Sequence, residues 1–458
     1  MILNLLLTIQ SISIPLILGF AITSYLFRKN PLDLFTNLAL SWGLGMGILT
    51  HWMLILLIFR IKFDFISIYL PLFSLTLFFL YLNFTDSRRK FKMISNNTSS
   101  FAQNGIDWIK VGISIYIGYY LIYIFWRAIT VPIYTWDELE ATVLKSKLLF
   151  LERALDGLKY LPHPSYPLHI ELAFTWVVLN LTSWDEQLPK IIFPITLIAY
   201  LRIQYFFLRY FANKRWSLFG LLLLMSSNLL IIHSTIAYRD LTLLYYTCSA
   251  IFFLLLWRIN KESSFLIISS VFAGIATFTK LEGLAYLFVY LSLIVLILFQ
   301  DKTYQIKDKI VLLLKFFMPS FGIAFFYIAY KFLAHVNMQE KTQFDFTSGC
   351  INRLFLTITE FIDTLFLSYN WNIVWLILLF SLFNVERIKK IIEIRVLFSA
   401  LFLFFALYFL QSVLTTNFFW ISGEKSYTTT PRLILHFFPL ATVLIVLLNG
   451  TSVKNLSK

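Results

Sequence analysis

Acidic side chains are scarce in this sequence: 24 Asp and Glu in 458 residues, with charged residues of both signs making up only 14%. An ordinary soluble domain carries roughly 25% charge, so a water-facing surface of normal composition is excluded. Cysteine is scarcer still. Cys248 lies inside an apolar run and Cys350 in a polar interval, which sets aside a disulfide between them. No zinc-type Cys/His spacing, Walker loop, GxGxxG or sustained heptad occurs, so zinc modules, the familiar nucleotide cradles and coiled coils are not indicated. Long hydrophilic stretches are missing as well, which leaves no room for a sizeable soluble domain.

What is abundant is apolar surface. Apolar residues make up 59% of the chain, with 49 Phe, 24 Tyr and 12 Trp, and the mean hydropathy is +0.77. A water-soluble fold has too little interior to hide that much. The composition predicts an all-α polytopic membrane protein forming one transmembrane domain over 1–458. Windows of about 20 apolar residues mark crossings near 3–27, 35–59, 64–84, 111–128, 190–210, 216–235, 239–257, 264–279, 284–299, 310–334, 364–383, 396–416 and 432–449, thirteen in all. The first run shows no cleavage site and is not expected to be a removed signal peptide.

Charge sets the expected sidedness. Lys and Arg number 38 and the net charge is +14. In a membrane protein this excess follows from the positive-inside bias and implies no nucleic-acid partner. The apolar segment 168–181 is short for a crossing. If it stays on one side, the basic loops at 28–29, 87–110, 214–215, 258–261, 302–309 and 387–395 all share one face, predicted cytoplasmic. It is therefore expected to be a helix lying at the outer interface. The region 1–110 then comprises N-terminal spans and a cytoplasmic loop, and 111–450 the core. The outer loop 129–189, the junctions near Tyr238 to Asp240 and Lys280 to Gly283, and the loops 336–360 and 417–431 face outward.

Candidate functional residues cluster in those outer segments, where loops on a rigid scaffold carry most chemistry. Thr135-Trp136-Asp137-Glu138 opens an amphipathic stretch over 139–155, closed by Gly157. Thr135 and Glu138 fit a capping box, and first-turn acids suit the helix dipole. Acids at a membrane edge are also expensive and tend to be functional. His163-Pro164-Ser165-Tyr166-Pro167 follows, with prolines forcing an extended turn. His163 and Tyr166 are candidate substrate contacts, or plain surface groups. Arg239 and Asp240 sit at a span end, where they either snorkel or face the same cavity as Asp137. Thr279-Lys280-Leu281-Glu282-Gly283 is a polar hairpin turn. Lys280 and Glu282 are either its solvated caps or, for Lys280, a phosphate partner. Arg432, in Thr430-Pro431-Arg432-Leu433-Ile434-Leu435-His436, either snorkels or grips a phosphate with its fork.

Taken in order, these motifs resemble a known pattern. An Asp-Glu loop after an early span, a His-Pro-x-Tyr-Pro turn, an Asp about 100 residues later, a Thr-Lys-x-Glu-Gly hairpin and an Arg-x-x-Leu-His final span are similar to the GT-C superfamily of integral-membrane glycosyltransferases. The branch most alike is the protein-mannosyltransferase-like one that includes bacterial lipopolysaccharide sugar transferases. The resemblance covers roughly 110–450. It implies a GT-C-like core with interfacial helices in the first large outer loop. It also implies an enzyme of the plasma or inner membrane that takes a sugar from a polyprenyl-phosphate carrier on the outer side. Inversion at the anomeric carbon and the lack of a nucleotide-sugar site follow from the same likeness. By that analogy Asp137 is the base, Glu138 the second acid of the pair, and Asp240 the acid of the second outer loop. The last binds a metal in some relatives, so a divalent metal at Asp240 stays open. The implied partners are membrane lipids, a lipid-linked sugar donor, and a glycan, lipid or protein acceptor.

Two other classes compete. A transporter or flippase would carry internal repeats and midplane breaks, whereas no repeat between halves is visible and the scarce charges lie at span ends. An O-antigen polymerase or ligase is expected to show a large outer loop late in the chain, and here the largest is early.

Overall fold

The computed structural model describes residues 2–85, 107–181, 183–333, 350–415 and 426–450. Its elements are helices throughout, as an apolar environment demands, since a helix satisfies its own backbone hydrogen bonds. In chain order they are α1 (Ile2–Leu26), α2 (Leu34–Ile58), α3 (Leu70–Thr85), α4 (Trp108–Thr130), α5 (Leu144–Glu152), α6 (His169–Leu181) and α7 (Ile192–Phe211). There follow α8 (Lys214–Met225), α9 (Asn228–His233), α10 (Asp240–Asn260), α11 (Ser263–Thr279), α12 (Glu282–Gln300) and α13 (Ile306–Leu333). The last group is α14 (Cys350–Ile362), α15 (Val374–Ser381), α16 (Val385–Lys390), α17 (Ile392–Leu414), α18 (Ser426–Leu435) and α19 (Phe438–Gly450).

Among the described residues, α1, α2, α3, α4, α7, α10, α12, α13 and α17 are long and apolar enough to cross a bilayer, and α18 with α19 is apolar enough as a pair, bent by 50° in the manner of a broken span or a re-entrant loop. The protein is thus an all-α polytopic membrane protein. The other three apolar windows meet the length less simply. The window 264–279 is α11, with 17 residues. The window 216–235 divides into α8 and α9, because the Ser227 side chain caps a new helix by accepting from the Leu230 amide at 3.2 Å. The window 364–383 divides at Asn372, which is in the left-handed region at φ 49°. Most of 87–110, 336–360 and 417–431 lies outside the described residues.

The bundle is built around α10, whose apolar window is wholly buried by protein, while α4 and α13 leave most of theirs to lipid. The first two helices approach closely: a Cβ on Gly45 would fall 1.8 Å from the Pro15 carbonyl oxygen, so only glycine fits there. At one end of the bundle the basic connections tie to one another. Arg202 pairs with Asp33 at 2.5 Å, Arg215 with Asp107 at 3.2 Å, Lys261 with Asp301 at 2.5 Å, and Arg258 with Glu393. Asp240 begins α10 and Arg258 closes it. A helix of 21 residues is about 30 Å long, so Asp240 lies a bilayer thickness away, at the opposite end.

The segment 168–181 differs from expectation. All of α6 except Leu179 is buried. It packs among α1, α2 and α5, with the Trp176 indole donating to the Ser11 carbonyl at 2.8 Å and the Thr50 hydroxyl 2.7 Å from His169 Nδ1. A helix lying on a bilayer would leave one face uncovered; this one is a core element. The helix after Asp137 also ends earlier than the sequence pattern indicates. It opens as a π-helical turn over Glu138–Val143, and stops after Glu152 at Arg153, which adopts φ 53°.

Candidate functional site

Asp240 is the hub. It stands in the first turn of α10, where unpaired amides favour negative charge, and it has no exposed surface. One carboxylate oxygen meets Lys280 Nζ at 2.9 Å and His436 Nε2 at 2.9 Å. The other meets Arg432 Nη2 at 3.2 Å and Nε at 3.3 Å, with His233 Nδ1 at 3.6 Å. Lys280 arrives from the hairpin between α11 and α12 and also pairs with Glu282 at 3.1 Å. That hairpin is tight because a Cβ on Gly283 would lie 2.0 Å from the Ala276 carbonyl oxygen. Close approach, rather than a left-handed turn, is what the glycine supplies.

Arg432 comes from the last turns of α18 and spans two acids. Its Nη1 donates to Asp137 Oδ2 at 2.5 Å while its other face holds Asp240. The guanidinium also lies 4.5 Å from the centroid of the Tyr238 ring, a cation–π arrangement. Burial pushes the Tyr238 phenol up to about 12, so it stays neutral. Three carboxylates (Asp137, Asp240, Glu282) thus face two cations (Lys280, Arg432). Of the three, Asp137 is the most open: 43% of its side chain is exposed, against 21% for Glu282 and none for Asp240. A group that takes a proton from a reactant must be within its reach, and Asp137 is the carboxylate of this cluster that solvent reaches most.

Glu138 does not share that exposure, which corrects its expected place beside Asp137 as a working acid. It is fully buried. One oxygen accepts from the Thr135 hydroxyl at 2.9 Å and from the Thr135 and Tyr134 amides at 3.3 and 3.4 Å. The other accepts from the Ala237 amide at 2.8 Å. Glu138 is the capping acid that the Thr135 pattern suggests, and it staples the loop before α5 to the turn before α10.

His163, Tyr166 and Arg239 form a neighbouring constellation instead of joining Asp240. Arg239, adjacent to Asp240 in the chain, turns the other way and pairs with the buried Glu171 of α6, donating also to the Ala141 carbonyl at 2.6 Å. Its guanidinium lies 5.0 Å from the Tyr166 ring, which stacks on His163 at 4.7 Å. Lys145 donates to the His163 carbonyl, and Tyr327 and Tyr330 donate to the Ser165 and Pro164 carbonyls at 3.0 and 3.1 Å. The His-Pro-x-Tyr-Pro turn is thereby fastened to α5 and α13.

The sequence pattern alone missed His233, Tyr286 and Tyr408, and gave His436 as part of the Arg-x-x-Leu-His motif without a role. His436 Nδ1 is 2.8 Å from the Tyr286 hydroxyl and 3.2 Å from that of Tyr408, so the Asp240 carboxylate is backed by a buried imidazole and two phenols. Only the spacing of His436, one turn after Arg432, hinted at this. As for a metal at Asp240, the donor set does not fit one. Both oxygens are committed to cations, which repel a third, and the described residues contain no group of three His, Cys, Asp or Glu arranged to hold an ion.

No family model, curated protein or solved structure matches the chain.

Proposed function

We propose that this protein is a membrane glycosyltransferase that moves a sugar from a polyprenyl-phosphate carrier to an acceptor hydroxyl on the outer face, with Asp137 as base. One observation carries the reading: Asp137, Asp240, Lys280, Glu282 and Arg432, drawn from four distant parts of an otherwise apolar chain, meet in a single ion-paired cluster. The reaction needs little more. The acceptor oxygen attacks the anomeric carbon and its proton passes to Asp137. The bond from that carbon to the phosphate oxygen breaks, and the lipid phosphate leaves with the electron pair. Negative charge growing there is met by Lys280 and Arg432, which are already oriented by Asp240. The phosphate is a good leaving group and needs no acid, which agrees with a site holding one open carboxylate.

A thirteen-crossing topology in the plasma or inner membrane goes with this reading. It puts the cluster outside and the tied basic end in the cytoplasm, as the positive-inside bias favours. The test is lipid and glycan mass spectrometry of cells with and without the gene. A sugar of defined mass missing from an envelope lipid, glycan or protein is expected, restored by the parent chain. Unchanged glycans together with a changed distribution of a solute would point to transport instead.

A further inference from the structure

Arg432 is shared between two acids of unequal exposure. Its Nε and Nη2 hold Asp240, which has no exposed surface and is further fixed by Lys280 and His436. Its Nη1 holds Asp137, which is 43% exposed and makes no side-chain capping bond to its own helix. The guanidinium is therefore anchored on one side, and on the other carries a partner that solvent already reaches.

We infer that the Asp137–Arg432 pair is a latch: the donor's phosphate replaces Asp137 on Arg432 and so releases the base. This rests on the glycosyltransferase reading. A phosphodiester presents two equivalent oxygens and one negative charge, the same valence at the same donor as the carboxylate it displaces, and Arg grips such an anion in a bidentate manner. Exchange leaves the charge on the guanidinium satisfied throughout. It changes Asp137, because the oxygen that accepts from Arg432 is occupied while the pair holds and is open to an acceptor hydroxyl once the pair parts. Donor binding thus precedes base action by construction. After transfer the departing phosphate carries more charge and stays on Lys280 and Arg432; Asp137, open to solvent, passes its proton to water, and its return to Arg432 as a carboxylate helps expel the phosphate.

Competition of this kind lowers apparent affinity by the fraction of Arg432 that is latched. Removing the latch should therefore tighten binding of the phosphate while it abolishes transfer. The experiment uses the full chain in nanodiscs with undecaprenyl phosphate as probe and undecaprenol as the tail-only control. Asp137→Asn is expected to bind the phosphate about tenfold tighter, within the range one coupled ion pair gives. In an Arg432→Ala background the same change should give no gain. Asp137→Ser serves as a second variant if the amide hydrogen-bonds to Arg432. Unchanged or weaker binding by both Asp137 variants sinks the latch. A gain of equal size without Arg432 also sinks it, since that is charge repulsion alone. Failure of the parent chain to prefer undecaprenyl phosphate over undecaprenol strikes the glycosyltransferase reading itself.

Discussion

Asp240 has no exposed surface, and both Lys280 and Arg432 direct their charge at it. Removing it takes the buried partner from two cations and leaves each with only its more exposed one, Glu282 or Asp137, where the loss of one partner of a buried pair costs about 3–5 kcal/mol. Asp137 makes a partly exposed pair, and such pairs contribute under about 1 kcal/mol. Asp240→Ala should therefore lower the thermal unfolding temperature in detergent by several times the shift of Asp137→Ala; equal shifts would contradict the hub. For turnover the order reverses in meaning. Asp137→Asn should fold normally and lose at least ~100-fold in transfer, and near-parental transfer would remove Asp137 from the chemistry. The scarcity of acids made both residues visible in the sequence. Their pairing was not visible, because Asp137 and Arg432 are 295 residues apart and nothing local distinguishes a snorkelling arginine from a bridging one. The imidazole of His233 was hidden for a related reason: on an apolar helix it looks like a core side chain.

At the scale of elements, Glu138 shows what a local pattern can and cannot say. The spacing of Thr135 and Glu138 marks a helix start, and the two side chains do bond. It does not announce that the second oxygen reaches the Ala237 amide, 99 residues on. Because Glu138 is buried, Glu138→Ala leaves those amides unpaired at about 1–3 kcal/mol. The expected result is faster protease nicking of the segment between α4 and α5, with Glu138→Gln nearer the parent. Equal resistance of parent and Glu138→Ala would show the staple to be dispensable. Long apolar runs such as α10 and α12 were legible because hydropathy alone defines them. The window 216–235 was not, since summed hydropathy takes no account of the cap that Ser227 provides. The bend between α18 and α19 escaped for the same reason, and it matters more: Arg432 and His436 both reach Asp240 across it.

Across the whole molecule the charge is sorted by end. Arg202, Arg215, Arg258 and Lys261 tie one end together, while the Asp240 cluster occupies the other, a helix length away along α10. Basic residues resist translocation, so the proposed reading places the first end in the cytoplasm and the second outside. Ser183, exposed just after α6, and Lys302, exposed between α12 and α13, report on the two ends. In a background with Cys248 and Cys350 replaced by Ala, a cysteine at position 183 should react in intact cells with a membrane-impermeant maleimide. One at position 302 should react only after the membrane is opened. Burial of α6 sharpens this test. Near its end Asn180 accepts from Tyr69, which lies in the turn between α2 and α3, at the end of α2 remote from Asp33, so position 183 and Asp137 should share a side. Labelling at 302 but not at 183 in intact cells would put the cluster in the cytoplasm, and the outer-face mechanism would fall with it.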